Sequence, residues 1–95
     1  MRQLEETKTF RHDKRRIEMS GRYCRAMKER FVPAVVGLLK DEALDVSYRG
    51  HALSGDMTGC RECHIKPDLL LVYRYVGDDV LVLERLASHA ELFGM

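Results

Sequence analysis

Ninety-five residues, 45% hydrophobic and 33% charged with no tryptophan, suit one globular domain and leave no room for a second. No apolar run approaches the roughly 20 residues of a membrane helix, and the opening MRQLEETKTFRHDKRR lacks the apolar core of a secretory signal. The expected location is therefore cytoplasmic, with no membrane partner.

The net charge of +1 conceals a division. Residues 1–40 carry eleven Lys/Arg against five Asp/Glu (+6), and residues 41–95 carry five against ten (−5). A basic first half suits a polyanionic partner such as RNA, although a solvated helix face explains the same charges.

In chain order, residues 3–8 alternate weakly and predict a first strand. Residues 9–40 read as helical. Gly21, beside Ser20, separates a first helix over residues 10–19 from a second. The second carries Tyr23, Met27, Phe31, Val35 and Leu38/Leu39 at steps of three and four, one amphipathic stripe. Pro33 removes a backbone hydrogen bond within it and predicts a kink or a restart. After Leu44 the period changes. Residues 62–66 form a short segment between Gly59 and Pro67, and residues 68–76, DLLLVYRYV, read as a strand covered on both faces. Gly77-Asp78-Asp79 is a turn, and VLVLERL over residues 80–86 returns as the second arm of a hairpin. The predicted fold class is α+β: two helices on one face of a small, twisted, mostly antiparallel sheet.

Residues 60–64, CRECH, spell the attachment motif of a c-type haem. That chemistry belongs to exported chains, and a recognisable set of axial-ligand and pocket residues is missing. Cys60, Cys63 and His64 resemble part of a zinc site, but Cys24 stands alone where a second ligand pair is needed. An odd cysteine count fits reduced thiols. No cofactor and no metal is expected.

Acid–base residues crowd around the strands. His51 enters the sheet, His64 lies on the short strand, Asp68 opens the next, and Arg85 and His89 close the last. Such a set suits cleavage of RNA by its own 2′-hydroxyl: a base removes the hydroxyl proton, an acid protonates the leaving 5′-oxygen, and a guanidinium steadies the phosphate. Each residue also has an ordinary structural explanation, and spacing alone does not choose.

Residues 48–93 resemble the second half of the YafQ-type toxins, members of the RelE/ParE superfamily of bacterial type II toxin–antitoxin systems. The matching pieces occur in order: H-x-L-x-G at His51, G-x-R-E-x-H-x-x-P-D from Gly59, L-L-V-Y-R from Leu70, and E-R-x-x-S-H-x-x-L-F from Glu84. The resemblance implies a RelE-like fold and ribosome-dependent endoribonuclease action on translated mRNA, bound at the 70S ribosome. It also implies neutralisation by a cognate antitoxin. It puts His51, His64, Asp68 and His89 on catalytic positions, Arg85 on a phosphate-stabilising one and Phe93 on a C-terminal aromatic. His89 and Asp68 would transfer protons, with His51 and His64 positioning the phosphate. The grip on ribosomal RNA would fall to Arg11, Lys14, Arg15, Arg16, Arg22, Arg25 and Lys28. Within this resemblance CRECH is a coincidence of spelling, and His64 alone in it does chemistry. Met57 and Leu69 stand where the family often has aromatics, which bears on base stacking. A gyrase-poisoning toxin of the ParE type or an inactive relative is the competing assignment; the four acid–base positions speak against the former.

Overall fold

The computed structural model describes residues 1–94. Strand β1 (Gln3–Glu6) leads into α1 (Lys8–Ser20), where the Thr7 side chain accepts a bond from the Phe10 N–H and caps the helix. That cap sets the helix start two residues earlier than the sequence suggested and ends the strand at Glu6. Gly21 closes α1 in the left-handed region, φ 69°, where a side chain would be strained.

The second helical stretch runs through α2 (Cys24–Ala26), a π-helical turn (Met27–Phe31) and α3 (Val32–Leu39). Pro33 produces no break. It falls in the first turn of α3, where a missing N–H costs least, and the Val32 N–H reaches back five residues to the Met27 carbonyl.

Short 3₁₀ turns flank β2 (His51–Ala52) at Val46–Tyr48 and Gly55–Met57. Strand β3 (Arg61–Lys66), β4 (Leu69–Val76) and β5 (Val80–Ala87) follow, and α4 (His89–Phe93) closes the chain. The sheet order is β1-β5-β4-β3-β2, antiparallel except where β1 lies parallel to β5. Asp68 does not open β4 as expected; it stands with Pro67 in the two-residue connection between β3 and β4.

The core lies between the sheet and the helices. Phe10, Ile17, Phe31, Val35 and Leu38 from the helices meet Cys63, Ile65, Leu71, Tyr73, Leu81, Leu83 and Leu86. Leu70, Val72, Val82 and Ala87 are buried as well but belong to the other face. Both faces of β4 are therefore covered over its first five residues, as the apolar run there predicted, while Tyr75 and Val76 at its end are exposed.

One irregularity decides the chemistry. Val72 pairs with Arg85 but Tyr73 with Leu83, so Glu84 is an extra residue, a β-bulge. Strict alternation from Leu81 and Leu83 would send residue 85 into the helix-side core. The bulge gives that place to Leu86 and moves Arg85 to the opposite face.

Candidate active site

Residues paired directly across antiparallel strands share a face. Register then builds two rows on the face away from the helices: His51–Glu62–Val72–Arg85 and, beside it, His64–Leu70–Ala87. At the usual strand spacing His51 and Arg85 stand about 14 Å apart along their row. His89 follows two residues after Ala87. The sheet thus brings His51, His64 and Arg85 to one surface, with His89 at its margin.

Glu62 ties the two histidines together. Its buried carboxylate lies 2.8 Å from His51 Nε2 and 4.0 Å from His64 Nε2 through the same oxygen, Oε1. His51 Nδ1 lies 3.1 Å from the Arg49 carbonyl. Glu62 Oε2 and His64 Nδ1 are buried with no hydrogen-bond partner. Such atoms are rare in folded proteins and mark places where something other than stability has set the arrangement.

Arg85 is not free. Its Nε donates to Asp13 Oδ2 at 2.7 Å and its Nη2 to Oδ1 at 3.3 Å, while the Leu86 N–H donates to Oδ2 at 3.0 Å. Beyond Leu83 strand β5 has lost β1 as a partner, and Asp13 of α1 takes over that edge. The carboxylate raises the Arg85 pKa, so the guanidinium keeps its charge.

Asp68 and Arg85, expected near one another at the strand ends, are held by different partners. Asp68 accepts from the Tyr23 hydroxyl at 2.7 Å and from Arg22 Nη2 at 3.3 Å. The Tyr23 bond, with Arg22 and Lys66 adding to it, lowers the Asp68 pKa. Tyr23, Arg22 and Asp68 line a cavity of about 300 Å³ together with Ser88 and Glu91 at the start of α4. That places Asp68 beside the helix that carries His89. Ser88 and Glu91 form a reciprocal capping box, and Glu91 pairs with Arg16 of α1. One turn apart on α4, the rings of His89 and Phe93 meet at a tilt of 52°, with centres 4.7 Å apart. Both are exposed.

Three residues escaped the sequence reading. Glu62 was signalled by E-x-H on a strand, a spacing that puts both side chains on one face. Asp13 interrupts the apolar stripe Phe10–Asp13–Ile17 of α1, and an acid there implies a buried partner. Tyr23 stood in the stripe of the second helix, and its hydroxyl gave no separate sign.

The CRECH pieces separate. Cys63 is sealed in the helix-side core, where burial pushes its thiol up to about 12. Cys60 is half-buried near Glu84 and Arg74, its pKa raised by burial. Among the described residues no group of three or more His, Cys, Asp or Glu is disposed to hold a metal ion.

Comparison with known proteins places the chain in a family. Residues 2–94 match the family model described as the bacterial toxin of type II toxin–antitoxin systems, YafQ. The chain belongs to the YafQ family. It is 33% identical over 90 residues to the mRNA interferase toxin YafQ of Escherichia coli K12, covering 84% of this chain and 97% of that one. A chain from Haemophilus influenzae named only as a toxin, YafQ, is 38% identical over 65 residues, 65% of this chain and 64% of that one. A copper-bound mutant toxin from Helicobacter pylori superposes with a TM-score of 0.84 at 42% identity over 98% of this chain and all of the other. The toxin of the E. coli DinJ–YafQ toxin–antitoxin complex gives 0.82 at 28% identity over 98% of both. YafQ structures thus share the α+β architecture seen here.

Proposed function

We propose that this YafQ-family chain is an endoribonuclease that cleaves mRNA during translation and is neutralised by a cognate antitoxin. The relative called an mRNA interferase and the relative solved with DinJ support the reaction class and the partner. The observation that carries the reading is the shared face of His51, His64 and Arg85, with His89 just beyond it.

In this proposal the RNA 2′-hydroxyl attacks its own phosphodiester without the help of a metal. His89, exposed and against the Phe93 ring, protonates the departing 5′-oxygen. Asp68 takes the 2′-proton; because the Tyr23 bond lowers its basicity, the substrate hydroxyl must displace Tyr23 from it. His51 and His64 orient the phosphate beside Glu62. Arg85 offers the phosphate a fixed cation, its free N–H groups being those Asp13 does not hold.

The ribosomal grip is proposed for the cations of α1, of the turn after it, of α2 and of the π-helical turn. Arg16, Arg22 and Arg25 pair with Glu91, Asp68 and Glu29, and Lys14 lies 3.9 Å from Glu18. Arg11, Arg15 and Lys28 make no carboxylate pair among the described residues and are the strongest members of that set. Reversing these three should weaken ribosome binding and flatten its salt dependence.

Primer extension on a defined mRNA in a reconstituted translation reaction tests the activity. New 5′ ends are expected with wild type and ribosomes only, and His89→Ala should reduce them about 10²-fold or more. Unchanged cleavage by His89→Ala would remove that residue from the mechanism. No cleavage by folded wild type would overturn the nuclease reading.

A further inference from the structure

Beyond the end of β2, strand β3 has an open edge: pairing with β2 stops at Glu62. Arg30, in the π-helical turn, closes that edge from the helix side. Its Nε donates to the Ile65 carbonyl at 3.2 Å and its Nη2 to the His64 carbonyl at 3.3 Å. Nη1 donates to Ser47 Oγ at 3.0 Å, and the guanidinium lies 3.9 Å from the centre of the Tyr48 ring. Tyr48 in turn donates its hydroxyl to the Arg30 carbonyl at 2.9 Å. Every partner is neutral, and no carboxylate among the described residues pairs with Arg30, Arg49 or Lys66.

These three cations line one cleft of about 550 Å³, with the Arg25–Glu29 pair also on its wall and His64 within its lining. A fixed guanidinium and two uncompensated cations around a concavity focus positive potential. Arg49 also connects the cleft to the reaction surface, because its carbonyl is the partner of His51 Nδ1.

We propose that this cleft is a phosphate-binding site for single-stranded RNA, holding the backbone on one side of the cleavage point. Arg30 supplies the immobile charge and Arg49 and Lys66 the adjustable contacts. The assignment rests on the RNA-cleaving reading and adds to it a site apart from the basic face of α1. A positively charged groove that tracks the backbone is how single strands are held without regard to sequence. The presence of His64 in the lining, and the Arg49 carbonyl that meets His51, favour the nucleic acid over an acidic protein segment as the occupant.

The probe is a 2′-O-methyl hexanucleotide, whose attacking hydroxyl is blocked, titrated into the full ¹⁵N-labelled chain across a range of salt. Amide shifts are expected at residues 25–30, 47–49 and 64–66. Arg49→Gln/Lys66→Gln should weaken binding roughly tenfold and lower the log–log salt slope by about 1.4, near 0.7 for each lost phosphate contact. Lys8→Gln/Lys40→Gln, at two exposed cations outside the cleft, should leave the slope for this short strand unchanged. Equal slopes for wild type and the cleft variant, or no binding to wild type, would overturn the proposal. So would a Glu-rich peptide that occupies the cleft more tightly than the RNA, which would make it a protein-docking site. Cleavage in translation that survives the cleft variant at full rate also counts against it and leaves the nuclease reading standing. Hexanucleotide binding in the cleft with no cleavage by wild type would instead reject the nuclease reading and retain the phosphate site.

Discussion

Asp13 and Glu62 are buried to nearly the same degree, yet the surroundings of the two acids differ at every atom. Asp13, at the β5 edge, receives the Leu86 N–H and two N–H groups of Arg85, with Arg16 3.6 Å away. Glu62, on β3, receives His51 alone at close range and leaves Oε2 without a partner. A buried carboxylate with all its bonds made stabilises a fold, whereas one half-satisfied among histidines costs stability and gains adjustability. The β5 edge therefore holds the protein together and holds Arg85 in place, while the β2–β3 face keeps groups that can change partners.

Asp13→Ala should show the largest effect. It strands the Leu86 N–H and the Arg85 guanidinium, and about 3 kcal/mol of stability should be lost in a urea titration. A loss below about 1 kcal/mol would mean that Asp13 is not the anchor of the bulge. Glu62→Gln should cost at most about 1 kcal/mol, since few of its bonds are made, but should reduce mRNA cleavage by a larger factor than it reduces stability. Equal stability losses in the two variants would erase the distinction drawn here.

Thiol reactivity gives a third, chemical measure. Cys24 is exposed and should react promptly with a disulfide reagent in the folded protein. Cys63, its thiol raised to about 12 in the core, should react only on unfolding. Fast reaction of Cys63 would mean that the helix-side core opens readily.

Tyr23→Phe should be the mildest. Its Asp68 partner is half exposed, so after solvent screening the loss is a few tenths of a kcal/mol. The folded-state pKa of Asp68 lies below its unfolded value, so its contribution is complete above the ordinary carboxylate range and disappears as pH falls through it. The Tyr23→Phe deficit should therefore be seen by thermal melting near neutral pH and shrink steadily as pH falls below the ordinary carboxylate range. A deficit that persists in acid would assign the effect to Tyr23 packing.

Much of this was written along the chain in readable periods. The β4–β5 hairpin, the helix break at Gly21 and the stripe Tyr23–Met27–Phe31–Val35 all depend on neighbours within a few residues, where local propensity and pattern dominate. The bulge was not read from the sequence, because the departure of Leu81, Leu83 and Leu86 from strict alternation takes its meaning only from the register with β4. Pro33 was misjudged because a proline in a first turn and a proline within a helix look alike until the π-helical turn before it is seen. Among the candidate site residues, chemistry alone pointed to His51, His64, Asp68, Arg85 and His89, and resemblance added Phe93. Neither revealed that Asp13 holds Arg85 or that Tyr23 holds Asp68, contacts spanning 72 and 45 residues.

By itself, then, the sequence determined the kinds of element, the two-sided burial of β4 and the list of groups able to move protons. Those follow from side-chain period and side-chain chemistry, which do not depend on distant partners. Tertiary structure alone decided which of these groups share a face and which are already engaged. Strand order, register and the extra residue at Glu84 set the first, and ion pairs closed between helix and sheet set the second. It also decided that Arg30, Arg49 and Lys66, unremarkable along the chain, enclose one cleft beside His64.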